Sequence, residues 1–418
     1  MDKTRKVHSL TGRITLPLMN QAFKAVKRNR GAAGIDKVSI KMFDANRDDN
    51  LAALMRDLKD GTFRSLPLRR TYIPKGPGST KLRPLGIPAV RDRVAQEVLR
   101  RLLRPIFEPG FHEASFGYIP KRNCHQAIER VLGFHSEGYR VVLDADIAGF
   151  FDNIPHSVIM AALAEKVADG NILRLVEKFL TAGVMENGVF KPTTVGTPQG
   201  GVISPLLANL VLNRLDWRLE DAGYRFARYA DDFVIVCQTE QQAQEALSLV
   251  KLVLTDLGLK LSPEKTKVGT YGKGYNFLGF FLSSRSRRMG SKAVQRLKIK
   301  VRELTVRKHN LDQDVVTKLN RILRGTAQYY ATSFSTCRWI FQKIDSWIRM
   351  RLRCMKLKRK NYNDNKKLRV KYFRRKFGLL TLEEFCTTPN LHGEARRVTP
   401  RGHRGNSMAW GNAYGVAQ

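Results

Sequence analysis

The stretch from Arg228 to Cys237, RYADDFVIVC, places two adjacent aspartates, Asp231 and Asp232, inside an apolar run. The flanking residues are typical of short β-strands, so the pattern predicts a hairpin with the acidic pair at its tip. Two neighbouring carboxylates repel each other, and burial increases the cost of their charges. A divalent cation removes this conflict, because Mg²⁺ prefers oxygen ligands and is often held by one or two carboxylates. We therefore interpret the acidic tip as a metal-binding position.

A second acidic strand lies upstream, in VVLDADIAGFFDNIPH, residues 141–156. Strand alternation puts Asp144 and Asp146 on one face, and spacing alone does not choose between them. Phosphoryl transfer to a polynucleotide end often uses two metal ions roughly 4 Å apart, which need more than one carboxylate. The hypothesis is an acidic site built from two neighbouring strands.

The charge of the chain indicates a polyanionic partner. Lys and Arg total 74 against 37 Asp and Glu, a formal net charge of +37 over 418 residues. Nucleic acid fits this excess better than an acidic membrane surface does. The first twenty residues lack the apolar core of a signal peptide, and no stretch approaches a membrane span. We expect a cytoplasmic bacterial protein, associated with RNA or the nucleoid and not with a membrane.

The five cysteines include no CxxC pair and do not gather with histidines at zinc-ligand spacing. They are typical of reduced thiols in a cytoplasmic protein. A zinc-stapled nuclease or finger module is therefore not expected.

The pattern of strands and helices predicts a mixed fold. The first 60 or so residues are helical in pattern, and residues 66–88 read as a basic hairpin. The middle of the chain suggests a β-α-β-β-α-β order with an antiparallel sheet. Near its end, LKLS (259–262) and YNFLGFFL (275–282) are each predicted to be one strand, and residues 291–356 are helical in pattern.

A basic run follows in the C-terminal part of the chain. From Arg349 to Lys376, 14 of 28 residues are Lys or Arg, and only Asp364 is acidic, whereas a solvated helix face would normally intersperse acids. Aromatic residues among the charges could stack on unpaired bases or form the core of a helical bundle, and both interpretations stay open. They are Tyr329, Tyr330, Trp339, Trp347, Tyr362, Tyr372 and Phe373.

Three blocks resemble those of reverse transcriptases. Tyr229-Ala230-Asp231-Asp232 is similar to their YADD box, and Asp146 with Phe150-Phe151-Asp152 is similar to their first carboxylate block. The segment between them resembles the intervening block: Gly196-Thr197-Pro198-Gln199-Gly200-Gly201, then Ser204-Pro205-Leu206-Leu207-Ala208-Asn209.

Further blocks narrow the resemblance to reverse transcriptases encoded by bacterial group II introns. Their N-terminal extension is similar to Asn29-Arg30-Gly31 and Gly34-Ile35-Asp36, and further blocks are similar to Ile73-Pro74-Lys75, Arg83-Pro84-Leu85-Gly86-Ile87-Pro88 and Ser115-Phe116-Gly117-Tyr118. Their last blocks are matched by Lys265 and Phe277-Leu278-Gly279-Phe280. Their maturase (X) region resembles Leu319-Asn320, Leu323-Arg324-Gly325 and Tyr329-Tyr330. The resemblance runs from about residue 20 to about residue 355. No endonuclease block is recognisable beyond it.

This resemblance implies an α+β, right-hand polymerase followed by a helical domain. Residues 1–65 would extend the fingers, and residues 66–284 would form the fingers and the palm, whose antiparallel sheet carries the YADD hairpin. Residues 285–388 would form a basic helical thumb or maturase (X) domain. Residues 389–418 would be a C-terminal tail for which loose order is the expectation.

The resemblance also implies roles for individual residues. Asp146, Asp231 and Asp232 would be the catalytic ligands of two Mg²⁺ ions, with Mn²⁺ as a possible substitute; the interval to Phe150-Phe151 favours Asp146 over Asp144. The nucleotide would be bound by Lys75, Arg83, Phe151, Gln199 and Lys265, with Phe151 beside the sugar, where its ring would collide with a 2′-hydroxyl. The nucleic-acid contacts would come from Arg69, Arg70, Arg324, Tyr329, Arg349, Arg351, Arg353, Lys356, Lys358, Arg359 and Lys360.

The implied function is RNA-directed DNA polymerisation from a DNA or RNA primer with dNTPs, together with binding of group II intron RNA, and of DNA, in splicing and mobility. One alternative is a group II-like reverse transcriptase detached from its intron and used in host DNA repair or defence. Another is a non-catalytic RNA-binding splicing factor, in which the aspartates would be expected to erode.

Overall fold

The computed structural model of the protein describes residues 6–386. These residues form two compact units. The first takes the chain up to Ile73 together with Leu82–Gly269, and the second takes Pro74–Lys81 and the chain from Thr270 onward. The tail predicted for residues 389–418 lies outside the described residues, and the domain boundaries drawn from the sequence stay a prediction.

The first unit combines helices with two sheets. Its helices are α1 (Leu16–Arg28), α2 (Ile40–Ala45), α3 (Arg47–Asp60), α4 (Val90–Phe107), α5 (Cys124–Ser136), α6 (Phe150–Asn153), α7 (His156–Ala164), α8 (Gly170–Leu180), α9 (Ser204–Asp221) and α10 (Glu240–Asp256). Its strands are β1 (Leu68–Pro74), β2 (Leu82–Ile87), β3 (Val141–Asp146), β4 (Val184–Glu186), β5 (Val189–Lys191), β6 (Arg225–Tyr229), β7 (Asp232–Cys237) and β8 (Lys267–Thr270), of which β1 and β8 each end one residue past the unit's limits.

We call the sheet β6-β7-β3-β8 the carboxylate sheet. Strand β7 lies antiparallel between β6 and β3, and the interior positions of β3 and β7 are buried, as expected of Val- and Ile-rich central strands. Helix α5 packs against β6, and α10 packs against β3 and β7. The sheet has the β-α-β-β-α-β order predicted from the sequence, with the fourth strand beside the first, but that strand is β8 and not the predicted LKLS stretch.

The second sheet has the order β2-β1-β4-β5, and it confirms the basic hairpin predicted for residues 66–88. Strand β1 runs parallel to β4, with Leu68 opposite Val184. The first 60 residues are helical where they are described, as α1, α2 and α3. One apolar core joins these helices to α4, α7, α8 and the inner face of the carboxylate sheet.

The second unit is a small sheet followed by helices. Its strands β9 (Tyr275–Phe277), β10 (Phe280–Leu282) and β11 (Arg287–Met289) form an antiparallel meander. Its helices are α11 (Ser291–Leu304), α12 (Gln313–Tyr330), α13 (Arg338–Leu357), α14 (Asp364–Lys367) and α15 (Val370–Phe377). Helix α12 buries Val316, Leu319, Leu323, Ala327 and Tyr330, the three- and four-residue spacing of one helix face.

Two strand predictions are wrong. LKLS makes only an isolated bridge, Ile147 to Leu261, because Pro263 follows and has no N–H to continue a ladder. YNFLGFFL is two strands, β9 and β10. Leu278 (φ +47°) and Gly279 (φ +82°) both adopt left-handed conformations between them, which is the geometry of a tight hairpin turn.

Within residues 6–386, none of the helices is both long and apolar enough to cross a membrane.

Candidate active site

The register of the carboxylate sheet brings the three predicted aspartates to one end. Asp146, the last residue of β3, lies directly opposite Asp232, the first residue of β7. Tyr229 pairs with Asp232 across the β6–β7 hairpin, so Ala230 and Asp231 form its two-residue turn. Residues directly opposite each other on antiparallel strands have side chains on the same face. The sheet therefore brings carboxylates from two strands and one turn together at one end of its strands. We call the position of Asp146, Asp231 and Asp232 the acidic edge.

The turn is held by the segment that precedes α5. Ala230 has φ +59°, an uncommon conformation for a residue with a side chain, and it is buried. The Phe116 N–H donates to the Arg228 carbonyl, 2.8 Å away, and an added Cβ on Gly117 would lie 2.4 Å from the Ala230 nitrogen. Gly117 thus lets the two backbones approach closely enough to fix the turn.

Gly117→Ala should displace the aspartate turn, because its methyl group would overlap the Ala230 backbone. We expect a loss of about 1–3 kcal/mol in unfolding free energy and about a tenfold loss of catalytic rate. Urea denaturation and single-turnover kinetics measure the two effects. Gly133→Ala is the matched control, since nothing lies within 4 Å of its added Cβ in α5. Equal behaviour of the two variants would contradict the close-approach role.

The acidic edge is electrostatically unfavourable by itself. Burial, reinforced by Asp144, Asp231 and Asp146, raises the pKa of Asp232 to about 7. Burial also raises the pKa of Asp231, with Asp146 adding to the shift, and the pKa of Asp144 to about 6. Several half-buried carboxylates with raised pKa values form a donor set that suits a hard divalent cation.

One positive side chain partly balances these charges. The Lys265 ammonium lies 2.7 Å from Asp146 Oδ2, and it also lowers the pKa of Asp231 and Asp232. Among residues 6–386, no three His, Cys, Asp or Glu side chains are gathered closely enough to hold a metal ion.

The raised pKa of Asp232 predicts a pH-dependent stability in the absence of divalent ions. An unfolded aspartate ionises near pH 4, whereas folded Asp232 keeps its proton to about pH 7, so this group's contribution falls as pH rises through that window. The melting temperature of Asp232→Asn, measured in a chelator, should rise relative to the native protein from pH 5 to pH 7 and then level off. A difference independent of pH would contradict the assigned pKa.

The predicted sugar-side residues lie next to the acidic edge. Phe151 is half-buried on α6, five residues beyond the end of β3, with its ring 5.4 Å from that of Phe150. Its carbonyl accepts from the Thr197 N–H (2.7 Å), and the Gln199 amide donates to Asp152 (3.1 Å). The Gln199 carbonyl in turn accepts from the Gly86 N–H of β2 (2.9 Å). The 196–201 loop therefore ties α6 to β2.

The two predicted triphosphate-binding cations differ in their placement. Arg83 is exposed on β2, and its charge lowers the pKa of Asp231, so it lies near the acidic edge. Lys75 is exposed at the turn of the basic hairpin, where its N–H donates to the Lys81 carbonyl (2.9 Å), and it belongs to the second unit.

Sequence reasoning missed Tyr118. Its φ of +60° is uncommon for a bulky residue, and the residue is 57% exposed. Loss of solvent around its phenol raises the pKa of Tyr118, Asp231 adds to this rise, and Arg83 partly offsets it. The tyrosine thus presents its phenol beside the predicted site. Tyr118 belongs to the Ser115-Phe116-Gly117-Tyr118 block, and the resemblance of that block to the family was the sequence feature that could have identified it.

Sequence reasoning also missed Arg228. Its side chain is 1% exposed and forms an ion pair with the fully buried Asp216 of α9. It further donates to the Asn209 side chain (3.0 Å), the Ala230 carbonyl (2.9 Å) and Ser115 Oγ (2.7 Å). We call Arg228, Asp216, Asn209 and Ser115 the arginine cage. It joins the aspartate turn to α9, and a lone arginine in an apolar strand was the sign that such partners exist.

Several residues predicted to bind nucleic acid are engaged within the protein. Arg69 donates twice to the Ala33 carbonyl, and the Tyr329 hydroxyl donates to the Leu278 carbonyl (2.7 Å). Protein partners also engage Arg351, Arg353, Lys358 and Arg359. The remaining predicted cations are Arg70 and Arg349, which are half-buried, and Arg324, Lys356 and Lys360, which are exposed.

Residues 73–282, half of the chain and the whole carboxylate sheet, match the family of reverse transcriptases (RNA-dependent DNA polymerases). The chain belongs to this family. The reverse transcriptase also carries a group II intron maturase-specific domain, matched by residues 294–376 in α11 to α15. The predicted family, its maturase region and the α+β right-hand polymerase fold are thereby confirmed.

This reverse transcriptase is similar to protein YkfC and to proteins of introns. It is 33% identical to protein YkfC of Escherichia coli over 335 residues, covering 70% of this chain and 87% of that one. It is 39% identical to the group II intron-encoded protein LtrA of Lactococcus lactis over 195 residues, 47% of this chain and 32% of LtrA. An uncharacterised 91 kDa protein in the cob intron of Schizosaccharomyces pombe is 28% identical over 370 residues, 68% of this chain and 46% of that protein. The chain thus spans most of YkfC but less than half of the other two.

Reverse transcriptases use divalent metal ions and copy RNA, so the coarse predictions of metal dependence and an RNA partner hold for this chain. The roles of individual residues stay predictions.

Proposed function

We propose that this reverse transcriptase extends the 3′ end of a DNA or RNA primer with dNTPs, using an RNA template. The observation that carries the proposal is the register that sets Asp146 opposite Asp232, with Asp231 in the adjoining turn. This arrangement gathers acids from two distant chain segments at one end of the carboxylate sheet.

The proposed chemistry divides among the chain's own residues. Asp146, Asp231 and Asp232 would hold two Mg²⁺ ions. When bound, such ions activate the attacking 3′-hydroxyl and stabilise the charge on the leaving pyrophosphate. Arg83 and Lys75 would bind the triphosphate through charge-assisted hydrogen bonds. Lys265, once it releases Asp146, would add a third cation near the same phosphates.

We further propose that the maturase-specific domain binds group II intron RNA in the cytoplasm and assists its splicing and mobility. Its helices carry much of the basic run from Arg349 to Lys376. Phosphate contacts from such cations release counterions, so binding should weaken steeply with salt.

Primer extension on an RNA template tests the polymerase proposal. Purified full-length protein with Mg²⁺ and all four dNTPs should lengthen an annealed primer to the template end, and a chelator should stop the reaction. Extension that needs no divalent ion would contradict the metal assignment, and absence of extension on any RNA template would overturn the proposal.

Phe151→Ala should relax the discrimination against ribonucleotides. The half-buried ring is proposed to lie beside the sugar, where it excludes a 2′-hydroxyl, and its removal should raise the relative kcat/KM for rNTPs about tenfold or more. Phe151→Tyr is the matched control, because it keeps the ring volume and should keep the discrimination. Single-nucleotide incorporation with paired dNTP and rNTP measures both. An unchanged ratio in the alanine variant would remove Phe151 from the sugar site.

A further inference from the structure

A cavity of about 110 Å³ lies within the second unit, between the C-terminal half of α13 and the segment 359–365. Its lining includes Met350, Arg353 and Cys354 from the helix, and Lys360, Tyr362 and Asp364 from the segment. An ordered water needs only about 10–15 Å³ of such space, so the cavity has room for a group as large as a phosphate. It lies inside the maturase-specific residues 294–376.

Arg353 is the largely buried cation in the lining of this cavity. Arg353 is only 8% exposed, and its Nε donates to the Leu368 carbonyl at 2.8 Å. Its Cζ lies 5.7 Å from the centroid of the Phe373 ring, and among the described residues no hydrogen-bond acceptor is recorded for its two terminal nitrogens, while the side chain lines the cavity. Burial, with Arg349 nearby, lowers the pKa of Arg353. Donors on a largely buried guanidinium that lines a cavity are available to an anion that enters it.

The one acid in the lining does not fill this role. Both Asp364 oxygens accept from Arg359, at 3.0 and 3.4 Å, and Asp364 is itself buried. Its charge favours the protonated form of Arg353 at longer range without bonding to it. Lys360 is exposed at the rim and adds a second free cation.

An aromatic face lies beside these cations. Tyr362 is 77% exposed, which excludes the core-packing interpretation for this tyrosine. The Lys360 ammonium is 6.0 Å from its ring centroid, which places the rim cation close to the aromatic face. Nucleobases that are not paired stack on such rings, whereas bases inside an A-form duplex are not accessible to them.

We infer that this cavity binds one unpaired nucleotide of an RNA strand, with a backbone phosphate on Arg353 and Lys360 and the base stacked on Tyr362. The inference rests on the proposed function, which makes intron RNA a partner of this domain. It names a single-stranded element as the part of that RNA read here, because stacking and a buried phosphate contact need a base outside the helix.

Fluorescence anisotropy of the full-length protein with a labelled single-stranded RNA of about a dozen nucleotides tests the stacking contact. Tyr362→Ala should weaken binding about fivefold or more, whereas Tyr362→Trp should keep it. Trp339→Ala is the matched control. Trp339 lies on α13, is 60% exposed and has the Lys343 ammonium 3.7 Å from its ring centroid, but it does not line the cavity. Equal losses in Tyr362→Ala and Trp339→Ala, or no loss in either, would overturn the inference.

The phosphate contact is tested by Arg353→Lys, which keeps the charge but removes the forked donors. Single-strand affinity should fall severalfold, while duplex RNA of the same sequence should bind as before. Arg353→Gln should also make the slope of log affinity against log salt less steep, by the amount expected for about one lost phosphate contact. Should the glutamine variant fail to fold, the tyrosine variants still decide the question. An equal loss of duplex affinity would reject an unpaired nucleotide.

Photocrosslinking locates the contact directly. RNA carrying 4-thiouridine should crosslink to the peptide that contains Tyr362, and crosslinks confined to other peptides would refute the assignment. Primer extension is scored separately with these variants on a short template. If a variant loses RNA binding but still extends primers, the result supports the nucleotide site in the cavity alone. If extension is absent but the variants differ in RNA affinity as expected, only the polymerase proposal is refuted.

Discussion

Asp231→Asn and Asp232→Asn, made singly, are each expected to reduce primer extension by about a thousandfold or more. An amide keeps the shape of the side chain but loses the negative charge that holds a divalent cation. Metal stabilisation of the transferring phosphoryl group is worth several kcal/mol, and about 4 kcal/mol corresponds to this rate loss. Asp232 stands in the closing pair of the β6–β7 hairpin, and Asp231 stands in its turn.

RNA binding should survive these substitutions, because the basic helices of the second unit lie in a separate compact unit. Single-turnover extension and RNA anisotropy, measured on the same samples, separate catalysis from binding. Asp256→Asn, at the exposed end of α10, is the matched control and should extend primers normally. Native extension rates in Asp231→Asn would refute the metal assignment.

Arg228→Met should produce the second large effect, a loss of about 3–5 kcal/mol in unfolding free energy. The substitution leaves the fully buried carboxylate of Asp216 without its partner and leaves the Ala230 carbonyl and Ser115 hydroxyl without a donor. Catalysis should fall as well, because the Ala230 carbonyl belongs to the turn that carries Asp231.

A double variant distinguishes folding from positioning. Arg228→Met with Asp216→Leu replaces the ion pair by apolar side chains, and such replacements are often neutral or stabilising. Urea denaturation should show most of the lost stability restored, whereas the extension rate should stay low. Arg214→Met is the control for a surface pair, since Arg214 and Glu165 are 44% and 56% exposed and the loss should be under about 1 kcal/mol. Full recovery of rate in the double variant would mean that the arginine cage only stabilises the fold.

The local structure around the acids could be predicted from the sequence because the signals there are local. The apolar run from Phe233 to Cys237 and the buried positions of Val141 to Ala145 have the composition of central strands, and they form β7 and β3. The pairing of Asp146 with Asp232 is different. It depends on strand register, which the alternation of side chains restricts to every second residue but does not choose. Family resemblance, and not spacing, favoured Asp146 over Asp144.

The β9–β10 hairpin was missed for a local reason, and the internal hydrogen bonds of two cations predicted to bind nucleic acid were missed for a long-range one. Leu278 adopts a left-handed conformation with no local signal beyond the following glycine, so the β9–β10 hairpin was read as one strand. Arg69 and Arg351 looked like free cations, yet carbonyl oxygens far away in the sequence accept from them. Composition predicts that a chain this basic binds a polyanion, but it does not say which cations are already used within the fold.

The ion pair between Lys265 and Asp146 has a consequence for any cation that approaches this part of the sheet. The tethered ammonium already offsets part of the carboxylate repulsion while no cation is bound. A divalent cation that binds there therefore competes with a charge that the chain itself supplies.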